Sequence, residues 1–141
     1  MCLGMILAVA ISDQITSGLM KPFFGRLRPC QVPDLQSIVH LVGGCGGKYG
    51  FASSHASTTF GLATTVWLLL RSWNPAWGWV FAWSALVSYS RIYVGVHYPL
   101  DILVGATVGF LVGWLVYLFY QWLIPKIFKA SNTITQLPKA P

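Results

Sequence analysis

Three groups of polar residues interrupt an otherwise apolar chain, and each is made of residue types that can handle a phosphoryl group. In the last group, Ser90-Arg91 is followed by His97 and, four positions on, by Asp101 across a Tyr98-Pro99 corner. A carboxylate in the first turn of a helix can hydrogen-bond an imidazole just outside it. That bond fixes the tautomer and raises the nucleophilicity of the other ring nitrogen. An aspartate near a bilayer needs a partner, and His97 or Arg91 would supply one to Asp101. The middle group, Ala52-Ser53-Ser54-His55, combines a serine able to cap a helix, the free N–H groups of a first turn, and a histidine able to donate a proton near neutral pH. The first group runs from Lys21 to Arg28-Pro29. It offers a point charge and a planar fork that could neutralise a phosphoryl group from two directions. Taken one at a time, the groups also read as a structural buried pair, an ordinary helix cap and a basic anchor at lipid headgroups.

The elements that must position these groups follow from composition. Of 141 residues, 55% are hydrophobic and 9% charged, which excludes an ordinary soluble domain and puts the chain in a bilayer. The net charge of +6 comes mostly from single cations punctuating apolar runs, not from a clustered basic face, so nucleic acid is not a partner. The run from Cys2 to Ala10 lacks the cationic flank of a signal peptide and is followed by Asp13-Gln14. The pattern predicts an all-α polytopic transmembrane bundle with four spanning helices, 1–21, 54–71, 76–96 and 99–124. The first carries Asp13, Gln14, Thr16 and Ser17, so it should line a cavity. Asp13 is a candidate to balance a buried cation, and equally a cavity-lining or interfacial residue. The proline- and glycine-rich connector 22–53 cannot be a continuous helix. Residues 72–75 form a turn, Pro99 opens the last span, and Pro125 closes it. A domain of residues 1–125 is thus followed by a polar tail, 126–141, expected to be mobile.

Alternating spans bring all three polar groups to one side of the membrane. The other side holds Arg71, Lys126, Lys129 and Lys139, which makes it cytoplasmic by the positive-inside tendency. Lys21, Arg26, Arg28, Lys48 and Arg91 offset that bias unless they bind phosphate instead of setting topology. Trp73, Trp77 and Trp122 near one face, and Tyr93 and Tyr98 near the other, fit interfacial belts or core filling alike. Cys30 and Cys45 either form a disulfide, implying an oxidising compartment, or remain two thiols.

In order and spacing the groups resemble the motifs of the type-2 phosphatidic acid phosphatase family, K-x6-R-P, P-S-G-H and S-R-x5-H-x3-D. The first is complete at Lys21, Arg28 and Pro29, and the third at Ser90, Arg91, His97 and Asp101. In the middle motif Ser53 and His55 match, while Ala52 and Ser54 replace proline and glycine. The resemblance implies a metal-independent membrane phosphatase without cofactor, acting through a phosphohistidine at His97. Asp101 would orient His97, and His55 would protonate the leaving oxygen. Lys21, Arg28, Ser53, Ser54 and Arg91 would hold the phosphoryl oxygens. The implied substrate is a lipid phosphate or pyrophosphate of the polyprenyl pyrophosphate, phosphatidylglycerol phosphate, phosphatidate or lipid A class. The implied location is a bacterial inner membrane with the site facing the periplasm. Family members usually have six spans, so two N-terminal helices are expected to be lacking. A non-catalytic lipid-phosphate binding or scaffold protein is the competing expectation. Gly43 to Lys48 resembles a phosphate-binding glycine loop, but Val42 and Tyr49 occupy positions where a Walker A sequence needs other residues, so that reading is rejected. His40 and Lys48 read as solvated loop residues.

Overall fold

The computed structural model describes residues 1–39, 41 and 43–135, with side chains as far as Ile127. The first apolar run winds into helix α1, Cys2–Asp13. It passes through a π-helical stretch, Gln14–Met20, and ends in a further α turn, α2, Lys21–Phe24. Gly25, in the left-handed region at φ 56°, caps this helix by donating its N–H to Lys21 O at 3.1 Å and turns the chain away. The connector then forms a 3-10 turn at Pro29–Gln31, a short helix α3 at Pro33–Gln36, and a bridge between Leu27 and Tyr49. A disulfide joins Cys30 to Cys45. Helix α4, Ser54–Leu70, follows, then a 3-10 turn at Pro75–Gly78, α5 at Trp79–Tyr93, and α6 at Pro99–Thr135. No strand occurs among the described residues.

Helix α4 is the centre of the bundle and packs against α6, α1 and α5. The contacts are made by small residues at four-residue spacing. On α1 and the π-helical stretch that continues it these are Gly4, Ala8, Ser12 and Thr16, all buried. On α6 they are Gly105, Gly109 and Gly113, where an added Cβ would run into α4 at Ser53, Ser57 and Gly61 respectively. Such stripes let helix backbones approach closely where lipid provides no hydrophobic drive for association. Among the buried hydroxyls of α4, Thr64 donates to Phe60 O at 2.8 Å and Thr65 to Gly61 O at 2.9 Å within the helix, while Ser57 donates across to Ser12 O of α1 at 3.4 Å.

The outside is apolar. Leu3 is 68% exposed and Trp83 65%, whereas Ser12, Thr16 and Asp101 are fully buried. This inversion of the soluble pattern is what a lipid solvent selects, because apolar side chains meet no penalty there and polar ones do. Two helices, Cys2–Phe24 and Pro99–Ile127, are long and apolar enough to cross a membrane. Helices α4 and α5, with 17 and 15 residues, reach only about 26 and 22 Å at 1.5 Å per residue. A hydrocarbon core is about 30 Å thick. The four expected segments are therefore all helical, but spanning length is met by two.

Three boundaries differ from expectation: the first helix continues past residue 21 to Phe24, α5 covers Trp79–Tyr93 within the expected 76–96, and the end of α6 lies beyond 124. Helix α6 does not stop at Pro125 but runs through it to Thr135. Proline removes one N–H and leaves the carbonyl of Gln121 without its helical donor. Gln121, Trp122, Pro125 and Lys126 are all exposed, so the ring displaces no packed neighbour. The Lys126 ammonium sits 3.5 Å from the centroid of the Trp122 ring. Of the expected tail, residues 136–141 lie outside the described residues, as does His40.

Candidate active site

Asp101 anchors the site. As the third residue of α6 it reaches back to the helix start, its Oδ2 accepting from the Tyr98 N–H at 2.9 Å. This is the carboxylate half of a capping box. Its carbonyl accepts from the Ser53 N–H at 3.0 Å, tying the start of α6 to the start of α4. Ser53 is the N-cap of α4 and is fully buried, its hydroxyl accepting from Ala56 N at 3.5 Å. His97, 3% exposed, lies in the corner after α5, with Nδ1 3.5 Å from Asp101 Oδ2.

Two expectations about this pair change. His97 Nδ1 is close to the carboxylate but makes no hydrogen bond. The cation paired with Asp101 is not Arg91 but Arg26, whose Nη1 donates to Oδ1 at 3.1 Å. The same guanidinium lies 4.2 Å from the centroid of the Tyr98 ring. Arg91 instead donates from Nε to Ser90 Oγ at 3.2 Å. Arg26 belonged to the basic group in the sequence but carried no motif position. The usable signal was its spacing: in an extended segment, side chains two apart face the same way, and Arg26 and Arg28 flank the bridged Leu27.

Arg28 is held by two carbonyls, donating from Nε to Tyr49 O at 3.2 Å and from Nη1 to Cys45 O at 2.8 Å. Partial burial lowers its pKa from the ordinary arginine value and the Asp101 charge opposes this, so it remains a cation. The Cys45 carbonyl sits in the loop that the disulfide fastens to Cys30. Gly50 comes close behind, where a Cβ would meet Arg28 Cγ at 3.2 Å and Asp101 Oδ2 at 3.3 Å.

A polar cavity of about 270 Å³ opens between these elements, lined by Arg28, His55, Arg91 and His97 and roofed by Gly43 to Gly46. Four of the expected site residues thus converge, from the connector, α4, α5 and the corner before α6. Asp101 stands behind His97. Lys21, Ser53 and Ser54 do not line the cavity. Ser53 is buried as a cap, and Lys21 Nζ donates to Ser54 Oγ at 2.7 Å. The glycine loop, rejected as a Walker sequence, reaches the site by another route: Gly43, Gly44 and Gly46 all have positive φ, and Arg28 binds the loop between them. Lys48 is exposed, as expected.

The Arg26 pair has a measurable consequence. Arg26→Ala leaves a fully buried carboxylate without its cation, and is expected to destabilise the protein by about 1–3 kcal/mol, the guanidinium being partly exposed. Asp101→Asn in the same background should recover much of that loss, because a neutral amide needs no counter-charge. Thermal unfolding in detergent checks both, and equal melting of Arg26→Ala and wild type would show the pair to be without effect.

Known proteins match most of this chain. The PAP2 superfamily model matches residues 1–125. A lipid A 4'-phosphatase of Porphyromonas gingivalis is 45% identical over 122 residues, covering 84% of this chain and 50% of the relative. A lipid A 4'-phosphatase of Bacteroides thetaiotaomicron is 36% identical over 124 residues, covering 86% and 54%. An undecaprenyl-diphosphatase of Sulfolobus acidocaldarius is 43% identical over 122 residues, covering 84% and 54%. The chain thus spans about half the length of these relatives, and no solved structure matches it. With the family model matched along almost the whole bundle, and relatives 36–45% identical over more than four fifths of its length, the chain belongs to the PAP2 superfamily.

Proposed function

We propose that this membrane protein hydrolyses a lipid phosphate or diphosphate through a phosphohistidine at His97. The observation that carries the proposal is the convergence of Arg28, His55, Arg91 and His97 on one polar cavity, with Asp101 behind His97. His97 Nε2 attacks phosphorus and the bond to the lipid oxygen breaks, His55 giving that oxygen its proton. Water then attacks the phosphohistidine. His55 accepts its proton, the P–N bond breaks, and inorganic phosphate leaves. Asp101 stabilises the imidazole as it becomes cationic. Arg28 and Arg91 neutralise the phosphoryl oxygens, and Lys21 adds a third cation. Ser53 contributes as the cap that presents the first turn of α4, and Ser54 through its bond to Lys21.

In this reading all four long helices cross the bilayer and the site faces the periplasm of a bacterial inner membrane. The Cys30–Cys45 disulfide supports that side, since disulfides persist in oxidising compartments. Arg71 and Lys126, each over a tryptophan ring, are cations suited to the opposite, cytoplasmic interface. The relatives named above make lipid A 4'-phosphate and undecaprenyl diphosphate the first substrates to try. The purified protein should release inorganic phosphate from at least one of them in mixed micelles. Binding of these lipids without release of phosphate would assign a lipid-phosphate binding or scaffold role instead.

A further inference from the structure

Ser54 stands where the family pattern has glycine, and its hydroxyl is part of a chain of bonds that the motif does not contain. Lys21 Nζ donates to Ser54 Oγ at 2.7 Å, Ser54 Oγ lies 2.7 Å from Ser17 Oγ, and Ser17 Oγ donates to Asp13 Oδ1 at 2.9 Å. The ends of the chain decide the direction of every bond within it. An ammonium can only donate and a carboxylate can only accept. Ser17 therefore spends its proton on Asp13, and Ser54 must donate to Ser17 while accepting from Lys21. The single hydroxyl proton of Ser54 is used up, leaving none to give a phosphate oxygen.

We propose that Asp13, Ser17 and Ser54 form a serine-bridged ion pair that positions Lys21 for the phosphoryl group, with Ser54 a positioning residue rather than a phosphate ligand. The chain crosses from the first helix to α4, so it fixes the ammonium relative to the His55 turn. Asp13, Ser17 and Lys21 follow one another at four-residue intervals through the π-helical stretch and share the face that meets Ser54. It also accounts for an acidic residue inside an apolar span, which needs a partner to be tolerated there. Lys21 retains donors beyond the one given to Ser54, its contact to Ser17 being long at 3.5 Å, and these remain for substrate.

This inference rests on the phosphatase reading above, and the test separates the two. In steady-state phosphate release, Ser54→Ala and Ser54→Gly are each expected to lower kcat/KM about 10- to 100-fold, the size of a hydrogen bond to a charged group. Ser54→Gly loses activity even though it restores the family residue. Ser54→Thr keeps the hydroxyl and should stay within about threefold of wild type. In a Lys21→Ala background, Ser54→Ala should cost little more, whereas a merely structural serine would add its full loss. Full additivity, or wild-type kcat/KM in Ser54→Gly, overturns the proposal while leaving the phosphatase reading intact. Should the wild type turn over none of the lipids, the same cycle is read in the affinity for orthovanadate, a phosphoryl mimic, with coupling again required. Neither turnover nor orthovanadate binding by the wild type would remove the phosphatase reading and this inference together.

Discussion

His97→Ala is expected to lower phosphate release from a lipid phosphate by about 10³-fold or more, the usual scale for loss of a covalent nucleophile. The same variant should lose the covalent phosphate that the wild type carries during turnover. That adduct is a phosphoramidate, labile in acid and stable in base, so brief incubation with labelled substrate followed by denaturation under the two conditions identifies it. Asp101→Asn keeps the shape of the side chain while removing the charge that faces His97 Nδ1 at 3.5 Å and Arg26 at 3.1 Å. Its expected loss is about 10²- to 10⁴-fold, as for other carboxylates that hold a catalytic imidazole. Undiminished release by His97→Ala would sink the phosphohistidine mechanism. An acid-stable adduct would move the nucleophile to another residue type.

The second large effect lies about two helical turns from the chemistry. Gly109→Val should destabilise the bundle by more than about 3 kcal/mol and in practice leave little folded protein. The reason is geometric. A Cβ on Gly109 would overlap Ser57 O and come within 2.8 Å of Gly61 N, and both are backbone atoms of α4 that cannot rotate aside. Helix α6 would have to move off α4, and the bond from Ser53 N to Asp101 O, which aligns the two helix starts at the site, would go with it. Phe110, the next residue, is 47% exposed on the lipid face, and Phe110→Ala should fall within about 0.5 kcal/mol of wild type. Size-exclusion profiles and melting curves in detergent compare the two. A Gly109→Val protein that elutes and melts like wild type would refute the close-packed stripe.

Much of the site's placement is legible in the amino-acid sequence. Spacing alone placed His97 beside Asp101, and alternating apolar runs brought Arg28, His55 and Arg91 to the same end of the bundle, where one cavity now holds them. The connector was readable because proline and glycine act through local covalent geometry. The disulfide is not fixed by sequence, which allows a bridge or two thiols, since connectivity depends on how the loop folds back. The end of α6 differs from the expected stop at Pro125 for a related reason. Whether proline stops a helix depends on what surrounds it, and around Pro125 the neighbouring side chains leave room.

What sequence by itself determined about this protein is the set of properties carried by residue type and near spacing: a lipid-solvated helical chain, three polar groups at one end, and a histidine four positions before a buried aspartate. Those are set by side-chain chemistry and helical period, which act over a few residues. Tertiary structure alone decided who pairs with whom. Asp101 took Arg26, 75 positions away, and Lys21 took Ser54, 33 positions away. Small residues on α1, α4 and α6 became a single packed seam. These choices depend on which surfaces come within a few ångströms after the chain has turned at Gly25 and at the His97 corner, and no local signal records that. The feature first read as His97 with its aspartate is thus better described as a buried carboxylate held by Arg26 behind a histidine that faces the cavity.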